Sequence, residues 1–395
     1  MRVALNGWFL VHNAHTGTGQ YLRALCAWLP RVAPQHEYYA VVPSGRIAEA
    51  PSAVRLHPVP CGASDLDKVR FEQILFPRAC RALNAGVAHV PHWAPPLASP
   101  APIVATVHDL IPLLTRTLPE YRGGLRVRLY TALVAAATAG ASLVLADSDA
   151  SRQDILQYLR LPPEKVRTVY LAAGEQYTPK GDWQVDEPIR QKYQLAPEGG
   201  YVLYLGGFDA RKNVRALLSA WTWADSSIGQ SYPLVLGGQL PRPDPNPRAA
   251  PGAGGRPGGR LFEDFPRLAR ELDIADTVKF IGPVDEGDKP ALYRGAAAFV
   301  YPSRYEGFGL PPLEAMACGV PVVASHAASV IEVVGQAGYL LPPDDTRAFG
   351  AAIITCVVEQ AVAEDLRARG LEQAKKFSWE KTARETVAAY EAAAK

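Results

Sequence analysis

Residues Ala298–Ala324 read AFVYPSRYEGFGLPPLEAMACGVPVVA, and the fold follows from this stretch. A short apolar run, Ala298–Tyr301, gives way to a polar segment carrying Gly307 and Gly309. Pro311-Pro312 then marks a helix start, since proline suits a first turn whose amides have no helical partner anyway. A second apolar run, Val320–Ala324, closes the unit. Strand, helix, strand in succession is a βαβ unit, and its two strands run parallel.

Working outward, the same alternation fills the chain. Strands are expected at Val3–Leu5, Tyr38–Val42, Val54–Val59, Val87–Val90, Ile103–Val107, Leu143–Ala146 and Val166–Leu171. A second set follows at Tyr201–Leu205, Leu234–Leu236, Val278–Ile281, Ala298–Tyr301 and Val320–Ala324. Most are unbroken Val/Leu/Ile/Ala runs, the signature of parallel strands buried on both faces. The expected fold class is α/β, with two Rossmann-like, doubly wound parallel-sheet domains facing a cleft. Residues 1–175 form the first domain and 201–377 the second. The Pro- and Gly-bearing stretch 176–200 reads as a linker. Residues 378–395 read as one helix with Ser378 as its N-cap.

The length of 395 residues agrees with two domains at roughly 100–200 residues each. Hydrophobic residues at 48% and charged ones at 20% exclude a disordered or fibrous chain. The net charge of +2 argues against a nucleic-acid binder. The charge is uneven: residues 1–175 hold 17 Lys/Arg against 12 Asp/Glu (+5), the rest 24 against 27 (−3). A basic first half can meet an anionic partner or membrane surface. Arg116, Arg122, Arg126 and Arg128, with Leu125, Leu129 and Tyr130, make a basic, partly amphipathic stretch of that kind. Five scattered cysteines without a Cys-x-x-Cys pair fit reduced thiols in a cytoplasmic protein. The run 237–260 is rich in Pro and Gly and reads as a surface loop.

Four stretches carry candidate chemistry. In the first, Glu306 and Glu314 stand seven residues apart, flanking Gly307-Phe308-Gly309. A helix start beyond glycines offers free amides and a positive dipole, a ready site for an anion. The two carboxylates can accept from sugar or ribose hydroxyls. In the second, LGGFDARKNVRALLSA (205–220), a strand ends in Gly206-Gly207 and Arg211-Lys212 precede a helix. Two cations there suit a diphosphate. The third, TGTGQY (16–21), lies in the loop between the first strand and the first helix. It fails as a dinucleotide fingerprint, because Leu22 stands where the third small residue belongs. The fourth, TVHDLIP (106–112), puts His108 and Asp109 at the C-terminal end of a buried strand. Asp65-Leu-Asp67 and Asp147-Ser-Asp149 have metal–diphosphate spacing, but a loop and a helix cap explain them better. His89 with His92, and His12 with His15, lack further ligands at zinc spacing.

Together these stretches resemble a retaining GT-B glycosyltransferase of family 4, in its mannosyltransferase-like branch. The resemblance runs in order through TGTGQY, VHDLIP, ADSDASRQDI, YLGGFDARKN, VKFIGPV and YPSRYEGFGLPPLEAMACGVPVVAS. It implies acceptor binding by the first domain, nucleotide-sugar binding by the second, and a last helix crossing back to the first. Glu306 would hold hydroxyls of the donor sugar and Glu314 the ribose. Amides of Phe308, Gly309 and Leu310 would meet diphosphate or sugar. Arg211 and Lys212 would neutralise the leaving nucleoside diphosphate, so that neither metal nor cofactor is required. His108 would contact the transferred sugar, and Gly17 and Gly19 would border the donor phosphates. Gly206 and Gly207 would also face the donor, with Gly282 and Val284 near its base. Gly207 stands where some branches carry an arginine, which throws the phosphate charge onto Arg211 and Lys212. GDP-mannose is the first donor expected and a UDP-sugar the second. The acceptor would be a glycan or lipid-linked saccharide, at the cytoplasmic face of a membrane. A nucleotide-sugar epimerase of the same fold, or a non-catalytic nucleotide-sugar-binding protein, shares most of these features.

Overall fold

The computed structural model describes residues 1–14, 16–44, 53–114, 125–195, 200–241 and 263–395. The chain divides into two compact units, Met1–Leu171 with Ser378–Lys395, and Ala172–Phe377.

The first unit is built on seven strands: β1 (Arg2–Asn6), β2 (Glu37–Pro43), β3 (Arg55–Val59), β4 (Val87–Val90), β5 (Ile103–Val107), β6 (Leu143–Ala146) and β7 (Val166–Thr168). Their order is β3-β2-β1-β4-β5-β6-β7, all parallel. The chain winds outward to one side from β1 and to the other from β4, so the order reverses between those two. Every residue of β4, β5 and β6 is buried. That two-faced burial is why their sequences are unbroken apolar runs. Phe71, Phe76, Leu22 and Leu25 fill the layer between sheet and helices. Each such buried side chain contributes roughly 1.5–3 kcal/mol.

The second unit carries β8 (Tyr201–Leu205), β9 (Leu234–Gly237), β10 (Val278–Gly282), β11 (Ala296–Tyr301), β12 (Val322–Ser325) and β13 (Tyr339–Leu341). The order is β10-β9-β8-β11-β12-β13, again parallel, and the reversal falls between β8 and β11. Trp221, Tyr204, Phe299 and Phe349 are fully buried there.

The last helix, Trp379–Ala393, belongs to the first unit. Ser378 caps it, accepting from the Lys381 amide at 3.2 Å. The helix packs on the helix Gly17–Val32. His89 Nδ1 lies 2.6 Å from the Tyr390 hydroxyl, and Thr382 Oγ1 donates to the Tyr170 carbonyl at 2.6 Å. His89 is buried, and burial holds it down near 3, neutral.

Three features differ from the sequence expectation. The stretch read as a linker contains the helix Trp183–Lys192, capped by Asp182 and spanning Pro188. Its buried Asp186 accepts two hydrogen bonds from the Arg294 guanidinium. Strand β13 has no counterpart in the expected set. Three half-buried residues between glycine and proline leave too short a pattern to detect. Gly17 and Gly19 lie in the first turn of the helix Gly17–Val32, not in a loop. Thr16 caps that turn, and a Cβ on Gly19 would strike the Ala14 carbonyl oxygen at 2.4 Å. Arg116, Arg122, His15 and the bulk of the Pro/Gly-rich run fall outside the described residues. Of Arg126 and Arg128 only the helical backbone, within Leu125–Gly140, is described.

Candidate functional site

In the second unit the C-terminal ends of β8, β9, β10 and β11 share one edge of the sheet. Gly206 donates to the Gly237 carbonyl at 3.0 Å, and Gly238 to that of Gly282 at 2.8 Å, which ties the edge together. Gly238 has φ +147 and Gly282 φ +72, conformations that glycine alone enters freely. Tyr204 donates to the Gly207 carbonyl from beneath. Val284 packs beside Gly237.

At the point where the strand order reverses, two sequence motifs converge. After β8 the chain makes a single 3-10 turn, Ala210–Lys212, and Asn213 turns left-handed at φ 57. Asn213 is pinned there by its Nδ2, 2.7 Å from the Pro343 carbonyl. After β11 comes Glu306. Its Oε1 accepts from Lys212 Nζ at 2.6 Å and its Oε2 from Arg211 at 2.9 Å. Ser303 Oγ also donates to Glu306 Oε1. Lys212 is 8% exposed, reaches the Tyr301 hydroxyl at 2.7 Å and lies 5.0 Å from the centre of that ring. Arg211 also meets Asp209, at 3.1 Å.

The charges respond to one another. Burial would raise the Glu306 carboxyl, but the adjacent Lys212 and Arg211 outweigh it and hold it below its ordinary range. Burial pulls Lys212 below its usual value, Glu306 opposing and Arg211 adding to the pull. Both oxygens of Glu306 are therefore occupied by cations.

Gly309 caps the helix Leu310–Ala317 at φ +126, and Pro311 and Pro312 occupy its first turn. Phe308 is buried against Phe377, with ring centres 5.7 Å apart. Glu314 lies within that helix and makes none of the bonds of the Glu306 cluster. It is buried, accepts from the Tyr293 hydroxyl at 2.9 Å, and burial lifts it to about 7. The Tyr177 hydroxyl, buried in the same unit, lies close enough to Glu314 for the two to shift one another.

In the first unit His108 follows β5 and Asp147 follows the adjacent β6. The two strands pair Val107 with Ala146, so the next residues emerge side by side. His108 Nδ1 lies 2.7 Å from Asp147 Oδ2 and Nε2 lies 3.1 Å from the Pro91 carbonyl oxygen. A carbonyl and a carboxylate only accept, so this geometry favours the protonated ring, which donates from both nitrogens. Burial would lower His108, but Asp147 more than offsets it and the net shift is upward. Tyr21 stands edge-on to the ring at 4.9 Å. Sequence reasoning set Asp147 aside as part of a weak metal motif. Its position one residue past a neighbouring strand was the available signal. Of the other motif acids, Asp149 is committed to Thr168 and Tyr170, while Asp65 and Asp67 open a helix, Asp65–Arg70, rather than lying in a loop, with Asp67 bonded to the Ser64 cap. Among the described residues no helix is long and apolar enough to cross a membrane.

Residues 185–377 match the family Glycosyl transferases group 1, and residues 15–172 match Glycosyltransferase Family 4. The O-antigen chain mannosyltransferase B of Escherichia coli is 39% identical over 73% of this chain and 69% of its own length. The serotype-specific mannosyltransferase WbdA of Escherichia coli is 30% identical over 71% of this chain, which spans only 32% of that protein. Anabaena Alr3699/HepE, solved in complex with UDP and glucose, has a TM-score of 0.70 at 16% identity, covering 98% of both chains.

Proposed function

This chain belongs to glycosyl transferases group 1, with the GT-B fold, and from that premise we propose that it moves a hexose from a nucleotide-sugar onto a glycan or lipid-linked saccharide with retention. Mannose from GDP-mannose is the first assignment, supported by the two similar mannosyltransferases. A UDP-sugar is second, since a structure of the same fold holds UDP and glucose. The observation that carries the reading is the Arg211–Lys212–Glu306 cluster at the point where the sheet reverses, where ligands of doubly wound sheets bind.

The chemistry follows from charge. As the glycosidic bond breaks, the sugar gains oxocarbenium character and the departing diphosphate gains negative charge. Lys212 and Arg211 are held in place before the ligand arrives, so they stabilise that charge with little reorganisation. One such preorganised group is worth roughly 3–4 kcal/mol. The helix Leu310–Ala317 adds the positive end of its dipole, and in its first turn Leu310 alone carries an N–H, since Pro311 and Pro312 have none. Glu306 is neutralised by two cations, which disfavours it as a nucleophile. It suits the donor sugar's hydroxyls, with same-face attack and the leaving phosphate as base. Glu314 suits the ribose hydroxyls. No step of this scheme calls for a metal. His108, with both nitrogens engaged, offers the transferred sugar a positive ring edge.

The test is a thermal-shift panel with GDP, UDP, ADP and dTDP, without added metal, followed by transfer assays with the sugars of the responding base. A ligand at ~100 times its Kd adds ~2.7 kcal/mol of stability. A rise with GDP and release of GDP from GDP-mannose are expected. A response to none of the four removes the donor assignment.

A further inference from the structure

An ammonium group donates through three N–H bonds and accepts none. At Lys212, Glu306 Oε1 takes one of them at 2.6 Å and the Tyr301 hydroxyl oxygen takes a second at 2.7 Å. Among the described residues nothing accepts the third. Lys212 is buried, so its direction is set by what it touches rather than by solvent. Glu306 alone would leave the ammonium free to turn about one bond. A second acceptor at a fixed place removes that freedom and decides where the third N–H points.

Tyr301 is such a fixed acceptor. It ends β11 and is fully buried. Phe299, two residues earlier, lies on the same face of the strand. The two rings stack with centres 6.0 Å apart, and Tyr293 meets Phe299 edge-on at 5.3 Å. A row of three aromatic rings thus holds the phenol in place. Its ring centre is 5.0 Å from Lys212 Nζ, so ring and hydroxyl both meet the cation. Burial first, and the Glu306 charge second, push this phenol well above its usual value. It stays neutral, and its oxygen keeps a lone pair for Lys212.

Two other buried tyrosines of this sheet use their hydroxyls differently. Tyr201 donates to the Leu292 carbonyl at 2.6 Å, and Tyr204 to the Gly207 carbonyl. Those bonds hold main chain and serve the fold. Among the described residues the Tyr301 hydroxyl meets only side chains of the charged cluster, Lys212 and Glu306. A phenylalanine would fill the same space in the core. What the hydroxyl adds is an acceptor at the lysine.

We infer that Tyr301 is a positioning residue for the transfer, its hydroxyl and ring aiming the remaining N–H of Lys212 at the phosphate oxygen that gains charge as the glycosidic bond breaks. The inference rests on the transferase reading above. It predicts a contrast between two ligands. The terminal phosphate of GDP is unesterified and carries the charge that the leaving group acquires, whereas in GDP-mannose the sugar still holds that oxygen. An aimed Lys212 should therefore matter more for GDP than for GDP-mannose. The full chain is titrated with both by calorimetry, or with UDP and UDP-glucose where UDP is the responding base. Tyr301→Phe removes one oxygen and keeps the ring in its row, so the fold should hold. The variant should bind GDP about tenfold more weakly, the low end for a hydrogen bond to a charged group, and GDP-mannose less than about threefold more weakly. In Lys212→Met, which keeps the lysine stem without its charge, adding Tyr301→Phe should cost no further GDP affinity, because the hydroxyl then has nothing to aim. Unchanged GDP binding in Tyr301→Phe overturns the inference. Equal loss of both ligands overturns it too, since a merely structural tyrosine weakens both alike. So does a full additional loss in the double variant, and so does a Tyr301→Phe protein that fails to fold, which would give the hydroxyl to the fold. Any of these with normal GDP binding by the wild type sinks the positioning role alone. A wild type that binds none of GDP, UDP, ADP and dTDP sinks the donor reading, and this inference with it.

Discussion

In the second unit one buried carboxylate, Glu306, serves two cations, with Asp209 contributing from a position more than a third exposed. In the first unit two cations each have a buried acid of their own, Glu72 under Lys68 and Asp147 beside His108. Solvent screens the Asp209 contact, so Arg211 and Lys212 keep positive charge available to an incoming anion. Lys68 and His108 have theirs cancelled at close range. The same residue types thus share one buried acid between two cations in one unit and pair off one to one in the other. What separates them is how many cations each buried carboxylate answers to.

The largest expected effect breaks this comparison at its strongest point. Lys212→Ala should lower kcat by ~100-fold or more, because it removes a preorganised charge from the leaving diphosphate. An unchanged kcat at saturating donor would mean that Lys212 does no more than neutralise Glu306.

Glu314 sharpens the comparison from the other side, as a buried acid whose raised value shows too little positive charge nearby. Its value of about 7 lies above the ordinary 4.5, so the folded state holds this proton more tightly than the unfolded chain. The stability tied to that proton is complete below about 4.5 and lost as pH rises through about 7. At ~1.4 kcal/mol per unit, the ionised form costs the fold up to about 3 kcal/mol. Glu314→Gln should therefore raise the Tm of the ligand-free protein at pH 8 and leave it nearly unchanged at pH 5. Nucleotide affinity should drop about tenfold in the same variant, the loss of one good hydrogen-bond partner. A variant that is less stable at pH 8 would show that Glu314 is held by its partners rather than strained.

How much of this was legible in the sequence differs between the two sites. The Glu306 cluster was half visible. Both motifs follow apolar runs that read as strands, so both were bound to surface on one edge. Their direct pairing was not visible, because it depends on Asn213 turning left-handed and swinging the preceding cations toward β11. The cluster around Glu72 in the first unit was hardly visible at all. Lys68 and Glu72 are spaced as a helical ion pair, but they meet His92 and Tyr130 only through tertiary packing. The helix Trp183–Lys192 was hidden by Pro188, and its Asp186 is held by Arg294 from a distant part of the chain.

The smallest effect expected concerns Asp147, which sequence spacing suggested for a metal and the structure gives to His108. Asp147→Asn keeps an oxygen that can accept from Nδ1–H, so the ring should stay in place while its charge loses its partner. The folded value of His108 lies above its unfolded one, held there by Asp147 against the pull of burial. The stability this pair lends is therefore full below ~6.5 and lost as pH rises through the folded value. In the variant that contribution shrinks, and any rate that depends on the imidazolium should fall off at lower pH than in the wild type. The two proteins should differ least in kcat at the acid end of the profile, since burial pulls the unpaired ring below its ordinary value. The variant should lag further as pH rises, each unit of displacement being worth ~1.4 kcal/mol. A merely structural Asp147 would lower activity equally at every pH. An alkaline limb that stays where it was would separate His108 from the transfer step and leave the two buried acids of the first unit with one role between them, the balancing of charge.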